Sequence, residues 1–173
     1  MEKENIRELI SAERIRQRIQ ELGMTITDDY AGKGEVVVVS VLKGGFIFTA
    51  DLVRRLDLPC RIEFIRASSY GTHRTSSGRV LLNYDIDIEG RNVLLIEDIV
   101  DTGLTLSSIR TEFLKLHPAS LKTCTLLDKP SARKVPAEAD YVAFTIPDLF
   151  VAGYGLDVAG LYRELPFIGV PER

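Results

Sequence analysis

The sequence predicts an α/β domain: a mostly parallel, twisted sheet flanked by helices on both faces, with a small hood built from the C-terminal segment. Short apolar runs rich in branched residues, at 36–41, 91–96 and 121–127, have the makeup of strands buried on both faces. Helical patterns alternate with them, the arrangement that covers a parallel sheet on both sides. From Pro147 onward the pattern stops, and an irregular tail of this kind suits a cover over one end of a sheet. The 173 residues fit one domain over 1–173, with a core at about 25–145 and a hood at about 146–173 completed by the N-terminal segment.

The elements follow in order. Residues 3–22 carry Ile6, Leu9, Ile10, Ile15, Ile19 and Leu22 near the helical period, with Gly23 as the stop, which predicts a first helix. A turn at 30–34 leads into the strand 36–41. Leu42, Lys43, Gly44 and Gly45 lie at its end, and 46–56 reads as a helix. A glycine loop between strand and helix can offer backbone N–H groups to an anion. Residues 61–67 alternate well enough for a strand. The polar stretch 68–79, SSYGTHRTSSGR, reads as a surface loop or a lid. Strands at 80–84 and 91–96 flank an acidic turn at 85–90. The next helix ends near His117 and Pro118, a strand at 121–127 closes on Asp128, Lys129 and Pro130, and 141–145 and 149–151 are short strands.

Composition narrows the classes of function. A 45% hydrophobic and 27% charged chain has the balance of a globular domain rather than a disordered segment. No apolar run approaches the roughly 20 residues that span a bilayer, so no membrane partner is expected, and MEKENIRELI lacks a signal-peptide core. The net charge of −3, with scattered basic residues, lacks the electrostatic footprint of nucleic-acid binding. Cys60 and Cys124 sit in apolar strand-like contexts far apart, which predicts free thiols and a reducing cytoplasm.

The stretch VLLIEDIVDTGLTL, 93–106, carries the most chemistry. An apolar strand leads into Glu97, Asp98 and Asp101, then into Thr102, Gly103, Leu104 and Thr105 at a helix start. An open α/β sheet builds its ligand site in this way, at the carboxyl end of a strand. Backbone N–H groups and hydroxyls at 102–105 suit a monophosphate at the positive end of the helix dipole. Asp101 or Thr102 could equally be a simple helix cap. The GxxxxGK[ST] pattern of the nucleoside triphosphatases is missing. Carboxylates at the end of a buried strand are costly unless something satisfies them. The vicinal hydroxyls of a ribose could do so, since ionised carboxylates only accept hydrogen bonds. A metal is the other option. Together the residues imply a phosphorylated sugar.

With these residues assembled, the stretch resembles the 5-phosphoribosyl 1-diphosphate signature of the type I phosphoribosyltransferases. In its form EDIVDTGLTL it is most similar to the hypoxanthine–guanine group of that family. VLKGGFIFTADL (41–52), SSYG (68–71), LLDKP (126–130) and PDLFVAGYGLD…YREL (147–165) match as well, in the family's order. The resemblance covers about 36–170 and is weakest in the first helix.

It implies the family's fold and a role for each matching residue. Glu97 and Asp98 would hold the ribose hydroxyls, and 101–105 would cradle the 5′-phosphate. Asp101 would face N7 of the purine as proton acceptor or orienting partner, a role compatible with capping a helix. Lys43 and Gly44 would form the pyrophosphate loop, where a non-proline cis peptide at Leu42–Lys43 is common in the family, and Arg163 would contact pyrophosphate. Lys129 would donate to the purine O6. Phe150 would stack on the base with Ile99 opposite, and the Val151 backbone would read its edge. Asp157, beside the purine, would ligate Mg²⁺ together with Glu97 and Asp98. Ser69 and Tyr70 would lie on a closing loop. Leu104 departs from relatives that carry a basic residue there, which removes one phosphate contact but leaves the N–H groups.

The implied substrates are 5-phosphoribosyl 1-diphosphate with hypoxanthine or guanine, and the implied assembly is a homodimer or homotetramer. Two rivals are a nucleic-acid-binding regulator on the same fold and a xanthine- or adenine-preferring relative. The first should have lost base contacts or gained a basic face or an added domain. Asp101, Lys129, Phe150, Asp157 and Arg163 are all present here.

Overall fold

The computed structural model describes residues 5–69, 80–83 and 85–172. These form strands β1 (Asn5–Ile10), β2 (Val36–Leu42), β3 (Cys60–Ser69), β4 (Val80–Asn83), β5 (Asn92–Val100), β6 (Ser120–Asp128), β7 (Tyr141–Thr145) and β8 (Ile168–Glu172), with helices α1 (Ala12–Tyr30), α2 (Phe46–Val53) and α3 (Leu104–Leu114). β2 to β7 make one sheet in the order β4-β3-β2-β5-β6-β7, parallel except for β4, which runs antiparallel to β3. β1 and β8 form a separate antiparallel pair.

The apolar run of β2 is buried along almost its whole length because the sheet is covered twice. Alternate residues feed two cores, as the period of a strand requires. Val36, Val38, Leu94 and Ile96 pack with Ile15, Ile19, Leu22 and Ile26 of α1 and with Phe48 and Leu52 of α2. Val37, Val39, Val93 and Leu95 pack with Leu106, Ile109 and Phe113 of α3 on the other side. The chain leaves β2 for β3 through α2 and leaves β5 for β6 through α3, on opposite faces and in opposite directions. Between β2 and β5 the strand order therefore reverses, and the crevice beyond their carboxyl ends is where such sheets hold ligands.

The first helix is misplaced by the sequence pattern. Residues 5–10 form β1 rather than helix, and α1 starts after Ser11, whose Oγ accepts the N–H of Arg14 at 3.3 Å. Gly23 does not stop α1, which runs on to Tyr30. A Cβ on Gly23 would lie 2.5 Å from Cβ of Arg55, so the glycine lets α1 pass close to the residues after α2. The expected helix 46–56 ends at Val53. The helix expected to end near His117 ends at Leu114, followed by a turn in which His117 takes φ 51°. The expected strand 149–151 does not form; Ala152 instead bridges Gly169, and β8 was not anticipated. Tyr84, expected to end a strand, lies outside the described residues. Cys124 is buried, Cys60 is half-buried, and both are free thiols.

Candidate active site

β5 extends beyond the predicted 91–96 and carries Glu97 and Asp98 within the strand rather than after it. Glu97 is paired in register with Thr125 of β6 and is buried, and its Oε2 has no hydrogen-bond partner. Burial, reinforced by the charge of Asp98, holds the Glu97 carboxyl well above its ordinary range. Burial also raises Asp98, opposed first by a hydrogen bond with Glu97, then by the N–H of Ile99, which donates to Oδ1 at 2.9 Å, and by the charge of Arg163.

Past Val100 the chain turns sharply. Asp101 is exposed and its Oδ1 accepts the N–H of Thr102. Thr102 Oγ1 accepts a long bond, 3.4 Å, from the N–H of Leu104. The residue that caps α3 is Gly103, at φ 82°, and no side chain bonds at the cap. Neither Asp101 nor Thr102 is thus the helix cap of the simpler sequence reading. A helix start without a side-chain cap leaves N–H groups for an outside anion.

The end of β2 meets this strand end. The Leu42–Lys43 peptide is cis, Lys43 is exposed and Gly44 is buried. A Cβ on Gly44 would fall 1.4 Å from Oδ2 of Asp98, so only glycine lets the two loops touch. A Cβ on Gly155 would likewise fall 2.2 Å from the Gly44 carbonyl oxygen, which brings the hood onto the same point. Arg163 Nη1 donates to the Gly155 carbonyl at 2.5 Å, and its Nη2 pairs with Asp157 at 2.7 Å. Asp157 Oδ2 also accepts the N–H of Gly160 at 2.7 Å. Gly44, Asp98, Asp157 and Arg163 thus belong to one cluster, and Lys43 precedes Gly44 in the chain.

At the end of β6, the Lys129 N–H donates to the Val100 carbonyl at 2.9 Å. Lys129 is only 7% exposed, and its Nζ lies 3.5 Å from Oδ1 of the exposed Asp148. A buried ammonium with one distant partner is not an ordinary solvated turn charge. Phe150, in contrast, is 64% exposed, an apolar ring left out of the core beside the buried Val151. Ile99 is half-buried. Ser69 ends β3, and Tyr70 with the rest of the expected lid lies outside the described residues. Among the described residues no three His, Cys, Asp or Glu side chains gather into a metal cage, so Glu97, Asp98 and Asp157 do not form one together.

One residue of this region went unread in the sequence. Arg133 donates to the carbonyls of Val100 (2.6 Å), Asp101 (2.5 Å) and Ala137 (2.9 Å) and to the carboxylate of Asp128. A single arginine in SARKVP carries no motif that could have marked it.

A mostly parallel sheet whose switch point holds paired acids, a glycine loop and a helix that starts at a glycine has the features of a phosphoribosyltransferase. The phosphoribosyl transferase domain family matches residues 6–159, and the chain belongs to that family. Hypoxanthine phosphoribosyltransferase of Haemophilus influenzae is 47% identical, with 98% of this chain and 97% of the relative covered. Hypoxanthine-guanine phosphoribosyltransferase of Bacillus subtilis is also 47% identical, over 94% of this chain and 91% of the relative. Among solved structures, a hypoxanthine-guanine phosphoribosyltransferase of Bacillus anthracis superposes with TM-score 0.92 at 47% identity, covering 97% of this chain and 100% of the other. The hypoxanthine phosphoribosyltransferase of Trypanosoma cruzi in complex with the product IMP gives TM-score 0.91 at 49% identity, over 99% and 97% of the two chains.

Proposed function

We propose that the chain is a purine-salvage enzyme. It transfers the 5-phosphoribosyl group from 5-phosphoribosyl 1-diphosphate to hypoxanthine or guanine, releasing IMP or GMP and pyrophosphate. The observation that carries this reading is the pairing of Glu97, buried with an unpartnered oxygen, with an α3 start whose cap residue, Gly103, has no side chain to satisfy it. The first can accept from hydroxyl donors and the second can donate to an anion, and a ribose 5-phosphate offers both. Full-length likeness to enzymes named for this reaction supports the choice of base.

In this reading Glu97 and Asp98 orient the ribose hydroxyls, and the N–H groups and hydroxyls from Asp101 to Thr105 hold the 5′-phosphate. Lys43, Gly44 and Arg163 bind pyrophosphate. Arg163 leaves or shares its bond to Asp157 when pyrophosphate arrives. Lys129 donates to O6 of the base, Phe150 and Ile99 sandwich the ring, and the Val151 backbone reads its edge. Asp101, exposed at the junction of the two halves, accepts or orients the N7 proton. Positive charge develops on the ribose as the bond at C1′ breaks ahead of attack.

Mg²⁺ fits the donors present. A hard cation of this kind is commonly held by one or two carboxylates plus substrate phosphates and water rather than by a protein cage. Asp157 on one side, or Glu97 with Asp98 on the other, would be the one or two carboxylates that hold it, and it would neutralise the departing pyrophosphate.

The chain is also read as a cytoplasmic homodimer or homotetramer. Phe46, Ile62 and Phe64 are large apolar side chains left 42–50% exposed near the start of α2 and along β3, a surface that a second copy would cover.

The deciding experiment is a spectrophotometric assay of hypoxanthine, guanine, xanthine and adenine, each with the sugar diphosphate and Mg²⁺. Turnover of the first two is expected. A preference for xanthine or adenine, or no turnover at all, defeats the proposal.

A further inference from the structure

We propose that Arg133 is a positioning residue that fixes the sugar-phosphate loop and the base-selecting lysine relative to each other. The inference rests on the function proposed above and adds a part to it. The guanidinium is 19% exposed and its donors reach three carbonyls and one carboxylate drawn from three segments. Val100 is the last residue before the phosphate loop and Asp101 is the first of that loop, and Asp128 immediately precedes Lys129. The Val100 carbonyl is a shared node: it accepts from Arg133 and also from the N–H of Lys129 at 2.9 Å.

The segment around Arg133 encloses the loop from outside. The N–H groups of Lys134 and Val135 both donate to the Thr102 carbonyl, at 2.9 and 3.3 Å. Gly103 is so closely covered that a Cβ there would lie 2.7 Å from Cβ of Ala137 and 2.9 Å from the Val135 carbonyl oxygen. β5 and β6 pair in register as far as Val100 opposite Asp128, and there the sheet bonds end. Beyond that point the guanidinium continues the bracing between the two strand ends. A planar fork of donors can span these acceptors, whereas a lysine ammonium at the same position reaches only some of them. Asp101 and Lys129 would face the same purine, so a shift of one strand end against the other misplaces the base relative to the sugar.

The test uses full-length protein with Arg133→Gln, Arg133→Lys and Arg133→Ala. Misplacement on the order of 1 Å costs about 100-fold, so the glutamine and lysine variants should lose about 10- to 100-fold in kcat/KM, the loss falling on kcat as well as KM. Millimolar guanidinium should restore part of the rate in Arg133→Ala. Adding Asp128→Asn to Arg133→Gln should cost little more, because the two act as one unit. A lowered thermal midpoint with unchanged kcat and KM per folded molecule overturns the proposal.

Hydrogen exchange on the same proteins reads the brace without turnover. Faster exchange confined to residues 100–106 and 128–137 supports it, and exchange unchanged there overturns it. If the wild-type chain turns over no purine, the proposed function falls while the exchange result still decides on Arg133.

Discussion

Glu97 shows at the scale of one residue how a site works against its own fold. Its carboxyl is raised by burial and by Asp98, so the folded chain holds its proton more tightly than the unfolded chain does. Stability contributed by that proton is present below the ordinary value of 4.5 and falls as pH rises from there toward the raised value. Glu97→Gln should therefore raise the thermal midpoint of the ligand-free protein at pH 8 more than at pH 5, while weakening binding of the sugar diphosphate. Equal midpoints at both pH values would show that the carboxyl is satisfied. Two further substitutions separate the halves of the site. Lys129→Ala should reduce discrimination between 6-oxo and 6-amino purines, normally about 10³-fold or more for a site built to pair one donor, and should leave affinity for the sugar diphosphate little changed. Asp101→Asn should slow the forward reaction with hypoxanthine by about 10- to 1,000-fold, read as kcat at saturating substrates.

At the scale of the element, β5, α3 and the loop between them were legible because their cues are local. Four branched or long apolar residues make a buried strand wherever they stand, and a Thr/Gly turn before a helical pattern marks a helix start. The N-terminal segment was not legible in this way. Ile6, Leu9 and Ile10 fit a helical period, yet residues 5–10 extend because their backbone groups find β8, whose first residue is Ile168. Nothing within a short window can report a partner so far away. Gly23 misled for a related reason: its lack of a side chain answers to Arg55 on a neighbouring segment, not to the end of a helix. The exposure of Phe150 and the burial of Lys129 both reverse the composition rule, and the roles the resemblance implies for them say nothing of burial.

The far end of the sheet holds a purely structural counterpart to the site. Tyr141 OH donates to Asp29 at 2.6 Å, and Lys122 Nζ donates to both, at 2.9 Å to Tyr141 and 3.0 Å to Asp29. Burial is the main reason the Tyr141 hydroxyl is pushed up to about 12, so it stays a donor across the working pH range. Tyr141→Phe should lower stability by about 1 kcal/mol in urea unfolding with catalytic constants unchanged. A kinetic effect would mean that the two ends of the sheet communicate.

At the scale of the whole molecule, the strand reversal between β2 and β5 places the crevice, and the hood supplies what the sheet lacks. Asp157 and Arg163 come from the stretch between β7 and β8, where Tyr154, Ala159 and Tyr162 all take positive φ. Such conformations persist only where the surroundings impose them, and functional sites are where they gather. The contact of Gly155 with Gly44 is the point at which hood and sheet are fitted together.

The pairing of β1 with β8 has a consequence in time. Asn5 Nδ2 donates to Glu172 Oε2 across 167 residues of sequence, so β1 has no partner until β8 is delivered. Contacts of such long range form late. A growing or refolding chain should complete its sheet first and present the acids and phosphate loop while the hood is still open. Pulse-labelling during refolding should show amides of β2 and β5 protected before catalytic activity appears. The order of assembly would then run from the part of the site built on the sheet to the part supplied by the hood, with competence arriving only when β1 meets β8.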